Sequence, residues 1–382
     1  RALSALHDGV VMDRFEVPRE LWKEALGSIS PDVRAALARA ARNIAAAQRA
    51  ALPVAFEVET EPGVLVGRRP DPLDRVGVYA PGGRASYPSS VLMGVVPARV
   101  AGVGEIVVCS PPGLNGVPAT SVLAAAEIAG ADRLFAIGGA GAIAAMAYGT
   151  ETVPAVQCIV GPGNGYVNEA KLQVARDVRI DGPAGPSELL VICDDALQLA
   201  AAARELVAQA EHAPDSCAVA VVVGEGLAQE LNARLAREMA SAGRRQIVEA
   251  ALGRNGAILQ ARDAAEAACF ATSYAPEHLL LAVHDPDWYF QRIRGAGAVF
   301  FGEASSVTFG DYLSGANHVL PTGGRARTMS GLSVLDFVRW TSYIHVSRAG
   351  AAALAGATGR FANAEGLPGH AAAATAWEAS DR

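Results

Sequence analysis

The chain has 382 residues, 51% of them apolar and only 19% charged, which is material for two ordinary domains with large buried cores. A net charge of −7 without a dominant basic patch excludes nucleic acid and anionic membrane surfaces as expected partners. No apolar run approaches the ~18 residues of a membrane span, RALSALHDG has no signal-peptide core, and five scattered cysteines (Cys109, Cys158, Cys193, Cys217, Cys269) read as reduced thiols; the expectation is a soluble cytoplasmic protein.

In chain order, SPDVRAALARAARNIAAAQRAAL predicts a helix with Ser30 as N-cap and Pro31 in its first position. AFEVETEPGVLVGRR predicts a hairpin turning at Pro62-Gly63. From Arg75 the runs RVGVYA, EIVVCS, RLFAIGG and AVQCIVGPG alternate with helical segments, the pattern of βαβ units and a parallel sheet. ELLVICDD, CAVAVVVG, GAILQA, HLLLAV and AVFFGE continue it after Ser187, and nine such strands suit two sheets better than one. The fold class expected is α/β, with two Rossmann-like parallel-sheet domains. Beyond Leu332 the strand rhythm fades into a small helical C-terminal tail.

Three turns are glycine-rich: VYAPGGRA, IGGAGAIAAMAYG and IVGPGNGYVNEAK. Such turns place free backbone N–H groups where anions settle. The middle one contains Gly139-Ala140-Gly141-Ala142-Ile143-Ala144, a GxGxxA pattern between strand and helix. Glycines there serve equally for tight turns and close packing. An acidic residue closing the next strand is also missing, since Gln157 or Cys158 stands there.

Two polar constellations interrupt the apolar chain. In LVAQAEHAPDS, Gln209 and His212 are three apart and share a helix face; a capped helix end and a ligand pair both fit. In APEHLLL, Glu277 and His278 are adjacent and would point apart in an extended segment; a charged loop edge and an acid–base couple both fit.

Read together, GVYAPGGRASYPSSVLM, IVGPGNGYVNEAK, IDGPAGPSELLVI, QAEHAPDS, YAPEHLLL, GDYLSGANHVLPTGG, SGLSVLDF and AEGLPGHAAA resemble the histidinol dehydrogenase family, in the family's order from Gly77 to His370. The resemblance implies zinc-dependent oxidation of L-histidinol to L-histidine through L-histidinal, with two NAD+ reduced. It puts a Zn2+ on Gln209, His212, Asp311 and His370, a ligand set of imidazoles, carboxylate and amide that suits this ion. It makes His278 the base toward the alcohol and Glu277 the group that activates water against the aldehyde. Ser187, Gln209, His212, His278, Asp311, His318, Glu365 and His370 match substrate-contact positions. His7, His284 and His345 match no motif.

For the cofactor the resemblance points to Tyr79, Asn164 and the position of Gly141, where the family has glutamine. A lost side-chain bond there would weaken NAD+ binding by ~1 kcal/mol. Gln157-Cys158 replace the family's Asp-Lys, and Gly94 a frequent asparagine. The division implied is residues 1–76 and 188–331 as a first α/β domain with most of the metal and catalytic site, 77–187 as an NAD-binding second domain, and 332–382 as a helical domain that crosses to the partner. A homodimer with shared active sites is therefore expected. The family's chains begin a few dozen residues earlier, with an arm that would add dimer contacts. The rivals are a zinc- and NAD-dependent dehydrogenase of another small alcohol and a degenerate binding homologue.

Overall fold

The computed structural model describes residues 9–82 and 86–378. The chain forms two compact units, Arg1–Ala51 with Leu73–Phe337, and Leu52–Pro72 with Val338–Arg382. Its strands are β1 (Phe56–Glu61), β2 (Val64–Pro72), β3 (Arg75–Tyr79), β4 (Glu105–Ser110), β5 (Arg133–Ala136), β6 (Cys158–Val160), β7 (Arg179–Ile180), β8 (Glu188–Cys193), β9 (Cys217–Val223), β10 (Gly256–Ala261), β11 (His278–Ala282), β12 (Ala298–Phe301) and β13 (Val338–Val346).

The first unit contains two parallel sheets, ordered β5-β4-β3-β6-β7 and β10-β9-β8-β11-β12. The order is the same in both: the earliest strand lies at the centre and the strand order reverses beside it, between β3 and β6 and between β8 and β11, all of them parallel. The expected α/β class with two parallel sheets is borne out. The continuous apolar runs follow from two-sided burial. In the second sheet Leu189, Val191, Ala218, Ala220 and Leu280 enter one core, while Leu190, Ile192, Val219, Val221 and Leu279 enter the other. The N-terminal helix Pro31–Ala50 is capped as its sequence predicts, the Ser30 hydroxyl accepting from the Val33 N–H at 3.3 Å.

In the second unit the hairpin turns at Pro62-Gly63, as expected, and its β2 pairs antiparallel with β13. The tail thus opens with a nine-residue strand, VRWTSYIHV, before its helices Arg348–Ala364 and Pro368–Thr375. Its β-branched and aromatic residues favour a strand, and Val338, Trp340, Ile344 and Val346 alternate with Arg339, Thr341 and His345, a pattern interrupted only at Ser342-Tyr343; most of the strand is exposed. The two-residue β7 is too short to show in sequence.

Candidate functional site

In the second sheet the polar residues gather at the amino edge of the two central strands. Glu188 opens β8 and His278 opens β11, with His278 opposite Leu189 in register. Ahead of β11 the helix Ala264–Tyr274 ends on Ala275, the only non-glycine residue with positive φ (54°) among the described residues. Such a conformation costs a residue with a Cβ about 1–2 kcal/mol, and it turns the chain at once toward Pro276 and Glu277. Glu277 therefore lies just outside the strand, and the couple does not diverge: His278 Nδ1 is 3.5 Å from Glu277 Oε2.

A chain of hydrogen bonds fixes the carboxylate. Gln209 Nε2 donates to Ser187 Oγ at 2.9 Å, Ser187 Oγ donates to Glu277 Oε2 at 2.8 Å, and the Glu188 N–H donates to the same oxygen at 2.7 Å. Gln209, Glu277 and His278 are 3%, 6% and 4% exposed. Burial pushes the Glu277 carboxyl up, against the pull of His278 and of its bonds to Glu188 and Ser187.

Three imidazoles share one arrangement. Nδ1 of His278 faces the Glu188 carbonyl at 3.0 Å, that of His212 the Gln209 carbonyl at 3.1 Å, and that of His318 the Asp311 carbonyl at 2.9 Å. A carbonyl only accepts, so each Nδ1 carries the proton and each neutral ring keeps its lone pair on Nε2. The Nε2 of His278 is buried with no hydrogen-bond partner, 3.6 Å from Asp311 Oδ1. Burial pulls His278 down, but the Asp311 and Glu277 carboxylates outweigh it and hold the ring up at about 9. Burial also presses Asp311 upward, yet His278, His318 and His212 together hold it below the usual carboxylate range. Burial pushes His318 down, against Asp311.

Asp311 belongs to the short helix Val307–Tyr312, tied to the Gln209 helix Leu199–Ala210 where the Val307 N–H donates to Glu205 Oε2 at 3.1 Å. One cluster of side chains thus brings together Ser187, Gln209, Glu277, His278 and Asp311, with His212 and His318 in electrostatic reach of Asp311. Glu365 and His370 lie in the second unit, both exposed, at the end of helix Arg348–Ala364 and within helix Pro368–Thr375. Among the described residues no group of three His, Cys, Asp or Glu side chains stands at metal-binding spacing within the chain.

Two residues escaped sequence reasoning. Glu188 holds the couple through its backbone at both ends, its Oε1 accepts from the Gly323 N–H at 3.0 Å, and its buried Oε2 has no partner. Its place beside Ser187 at the start of a strand was the available signal. Asn317 anchors the loop of His318 by donating from Nδ2 to the Met93 carbonyl at 2.8 Å.

The first sheet presents the other edge. Tyr79 ends β3, and its hydroxyl accepts from the Gly139 N–H at 3.1 Å, at the start of helix Gly139–Tyr148, which also carries the half-buried Gly141. Asn164 caps helix Gly165–Val174, Oδ1 accepting from the N–H groups of Tyr166 and Val167 at 3.1 Å each. Gln157 precedes β6 rather than closing it, and its Oε1 accepts from the Asp74 N–H at 2.6 Å. Gly94 has a packing reason: a Cβ there would lie 2.5 Å from Val78 Cγ1.

The sequence profile of a family described as histidinol dehydrogenase matches residues 1–377. The histidinol dehydrogenase of Methanosarcina mazei is 46% identical over 365 residues, covering 95% of this chain and 84% of that one. The crystal structure of histidinol dehydrogenase from Elizabethkingia anophelis superposes with a TM-score of 0.95 at 33% identity, covering 98% of this chain and 87% of that one. An NAD-dependent aldehyde dehydrogenase from Sinorhizobium meliloti, 14% identical with a TM-score of 0.55 over 86% of this chain and 82% of its own, shares the fold alone.

Proposed function

Because the chain belongs to the histidinol dehydrogenase family, we propose that it oxidises L-histidinol to L-histidine through L-histidinal, reducing two NAD+, as a zinc-dependent homodimer of the cytoplasm. The observation that carries this reading is the buried Glu277–His278 couple, with an unpartnered imidazole nitrogen aimed past Asp311.

Neutral His278, with its lone pair on Nε2, takes the proton of the substrate's alcohol oxygen as hydride leaves the carbon. When bound beside Tyr79 and Asn164, NAD+ would supply the hydride acceptor. Glu277, held by Ser187 and the Glu188 N–H, takes a proton from the water that adds to the aldehyde. As the water adds, protonated His278 returns its proton to the former aldehyde oxygen, and the neutral ring then removes a hydroxyl proton of the hydrate in the second oxidation. Ser187 and His318 would contact substrate directly, together with Glu365.

Gln209, His212 and Asp311, completed by His370 of the partner subunit, fit a divalent cation: hydrogen bonds of Nδ1 to backbone carbonyls leave Nε2 of the imidazole free to ligate, as at His212. When bound, zinc would orient the substrate's imidazole and amine rather than act as the main Lewis acid. Support for a partner comes from the second unit, where Ile344 and Phe361 are each 70% exposed and Trp377 53%; side chains of this size in so small a unit are what an interface covers. The division of labour follows the sheets, with 77–187 holding NAD+ through Tyr79, Asn164 and the Gly141 turn, and 188–331 holding substrate. The five unpaired cysteines suit a reducing compartment, and no helix among the described residues is long and apolar enough to cross a membrane.

The test is the yield of NADH from limiting L-histidinol with excess NAD+. Two equivalents per substrate are expected. Preferred turnover of another amino alcohol, or no NADH while zinc is retained, would replace this reading with one of its rivals.

A further inference from the structure

Lys171 and Asp181 form an ion pair that the reaction does not use, and it is almost fully buried, with side chains 2% and 3% exposed. Lys171 lies seven residues beyond the Asn164 cap, two turns along helix Gly165–Val174, and Asp181 directly follows β7. Both charges close on one residue. The Gly161 N–H donates to Asp181 Oδ2 at 2.7 Å, and Lys171 Nζ donates to the Gly161 carbonyl at 3.1 Å.

Gly161 is the first residue after β6, at the point where the strand order reverses beside β3, which is where open parallel sheets bind their ligands. Its φ is +116°, and a Cβ on it would lie 2.1 Å from the Tyr79 carbonyl oxygen, so its backbone presses on the end of β3. Tyr79 in turn receives the Gly139 N–H on its hydroxyl. A displacement of Gly161 therefore reaches Tyr79, the Gly139 turn and Asn164 three residues on. The same helix is tied to the segment before Ser187, where the Ala184 N–H donates to Asn168 Oδ1 at 2.8 Å.

We infer that the Lys171–Asp181 pair is a positioning device for the cofactor, clamping the amide and carbonyl of Gly161 so that the turn 161–164 and Tyr79 hold one geometry. The inference rests on the proposed use of NAD+ by this sheet. Charge is the means because a full charge on each side binds a backbone group more strongly than a neutral partner does. A pair taken out of water is otherwise a poor source of stability: replacing both partners with apolar residues of similar volume is often neutral, whereas removing one leaves an uncompensated charge.

That asymmetry provides the test. In the full-length protein, Lys171→Met combined with Asp181→Leu removes both charges together. The expected result is a folded, zinc-retaining enzyme whose KM for NAD+ rises on the order of 10-fold, with the KM for L-histidinol within about 2-fold of wild type. The NAD+ dissociation constant, measured by calorimetry without substrate, should rise in parallel. A wild-type KM and dissociation constant for NAD+ in the folded variant would overturn the inference, and so would an equal loss in every parameter, the mark of general loosening. If this variant does not fold, Lys171→Met with Asp181→Asn, which keeps an acceptor toward Gly161, is read by the same two constants and the same criteria. A wild-type protein that forms no NADH and binds no NAD+ would instead remove the underlying reading, an outcome visible before any variant is made.

Discussion

Replacing His278 with asparagine is expected to lower kcat by about 10²–10⁴-fold while leaving the KM for L-histidinol within a few-fold, because the contribution proposed for the ring is proton removal at Nε2. Asparagine preserves size and polarity but supplies no base. The partner substitution should behave differently. Glu277→Gln keeps an acceptor for Ser187 and the Glu188 N–H, so the couple's frame survives, but an amide cannot take a proton from water. The first oxidation should then persist and the second stall, with NADH falling from two equivalents per substrate toward one and aldehyde accumulating to trapping by a hydrazine. Two full equivalents of NADH at wild-type rate from Glu277→Gln would refute its role; unimpaired turnover by His278→Asn would refute the assignment of the base.

Asp311→Asn is expected to have the second largest effect, and it acts in two ways. A lost ligand should weaken zinc binding by more than the ~10–100-fold that loss of an orienting group costs. It should also change the titration of His278. Without metal, Asp311 and Glu277 hold that ring up at about 9 against burial, so it is protonated at neutral pH and cannot act as a base. Once Asp311 shares its charge with a cation, much of the upward pull disappears while burial still pulls down, so the pKa falls. The sign follows for activity: zinc-loaded enzyme should gain activity with rising pH over a limb well below 9. Imidazole NMR on the metal-free protein should show His278 titrating near 9, and both zinc addition and Asp311→Asn should move it downward. A His278 resonance indifferent to zinc and to Asp311 would break the electrostatic argument.

Much of the architecture was legible because parallel strands buried on both faces appear as continuous apolar runs. All nine runs marked in the sequence became strands, and the hairpin turn and the Ser30 cap came out as their residues require. The tail strand β13 was missed because it is a lone run between helical segments, broken in its alternation at Ser342-Tyr343, and what it pairs with, β2, lies far away in sequence. The site was legible only through whole motifs. Glycine-rich turns point to the carboxyl edge of a sheet, and the first sheet obeys that rule with Tyr79, Gly139 and Asn164. The second sheet gathers Ser187, Glu188, Glu277 and His278 at its amino edge, beside the end of the Gln209 helix rather than a helix start, where no short pattern announces a site. The separation expected of the adjacent Glu277 and His278 assumed an extended segment. Ala275 with positive φ turns the chain just before them, and local propensity gives no hint of it. Glu188 shows the limit most clearly, because its part in the couple is played largely by its backbone.

The convergence of remote side chains on one cation is the claim on which the rest depends. A crystal of the protein grown with zinc, with anomalous data collected at the zinc absorption edge, tests it most directly. The account predicts one strong peak per subunit, within about 2.0–2.3 Å of ligand atoms from Gln209, His212 and Asp311 of one subunit and His370 of the other. A peak bound elsewhere, or these four side chains too far apart to share an ion in either subunit, would contradict it.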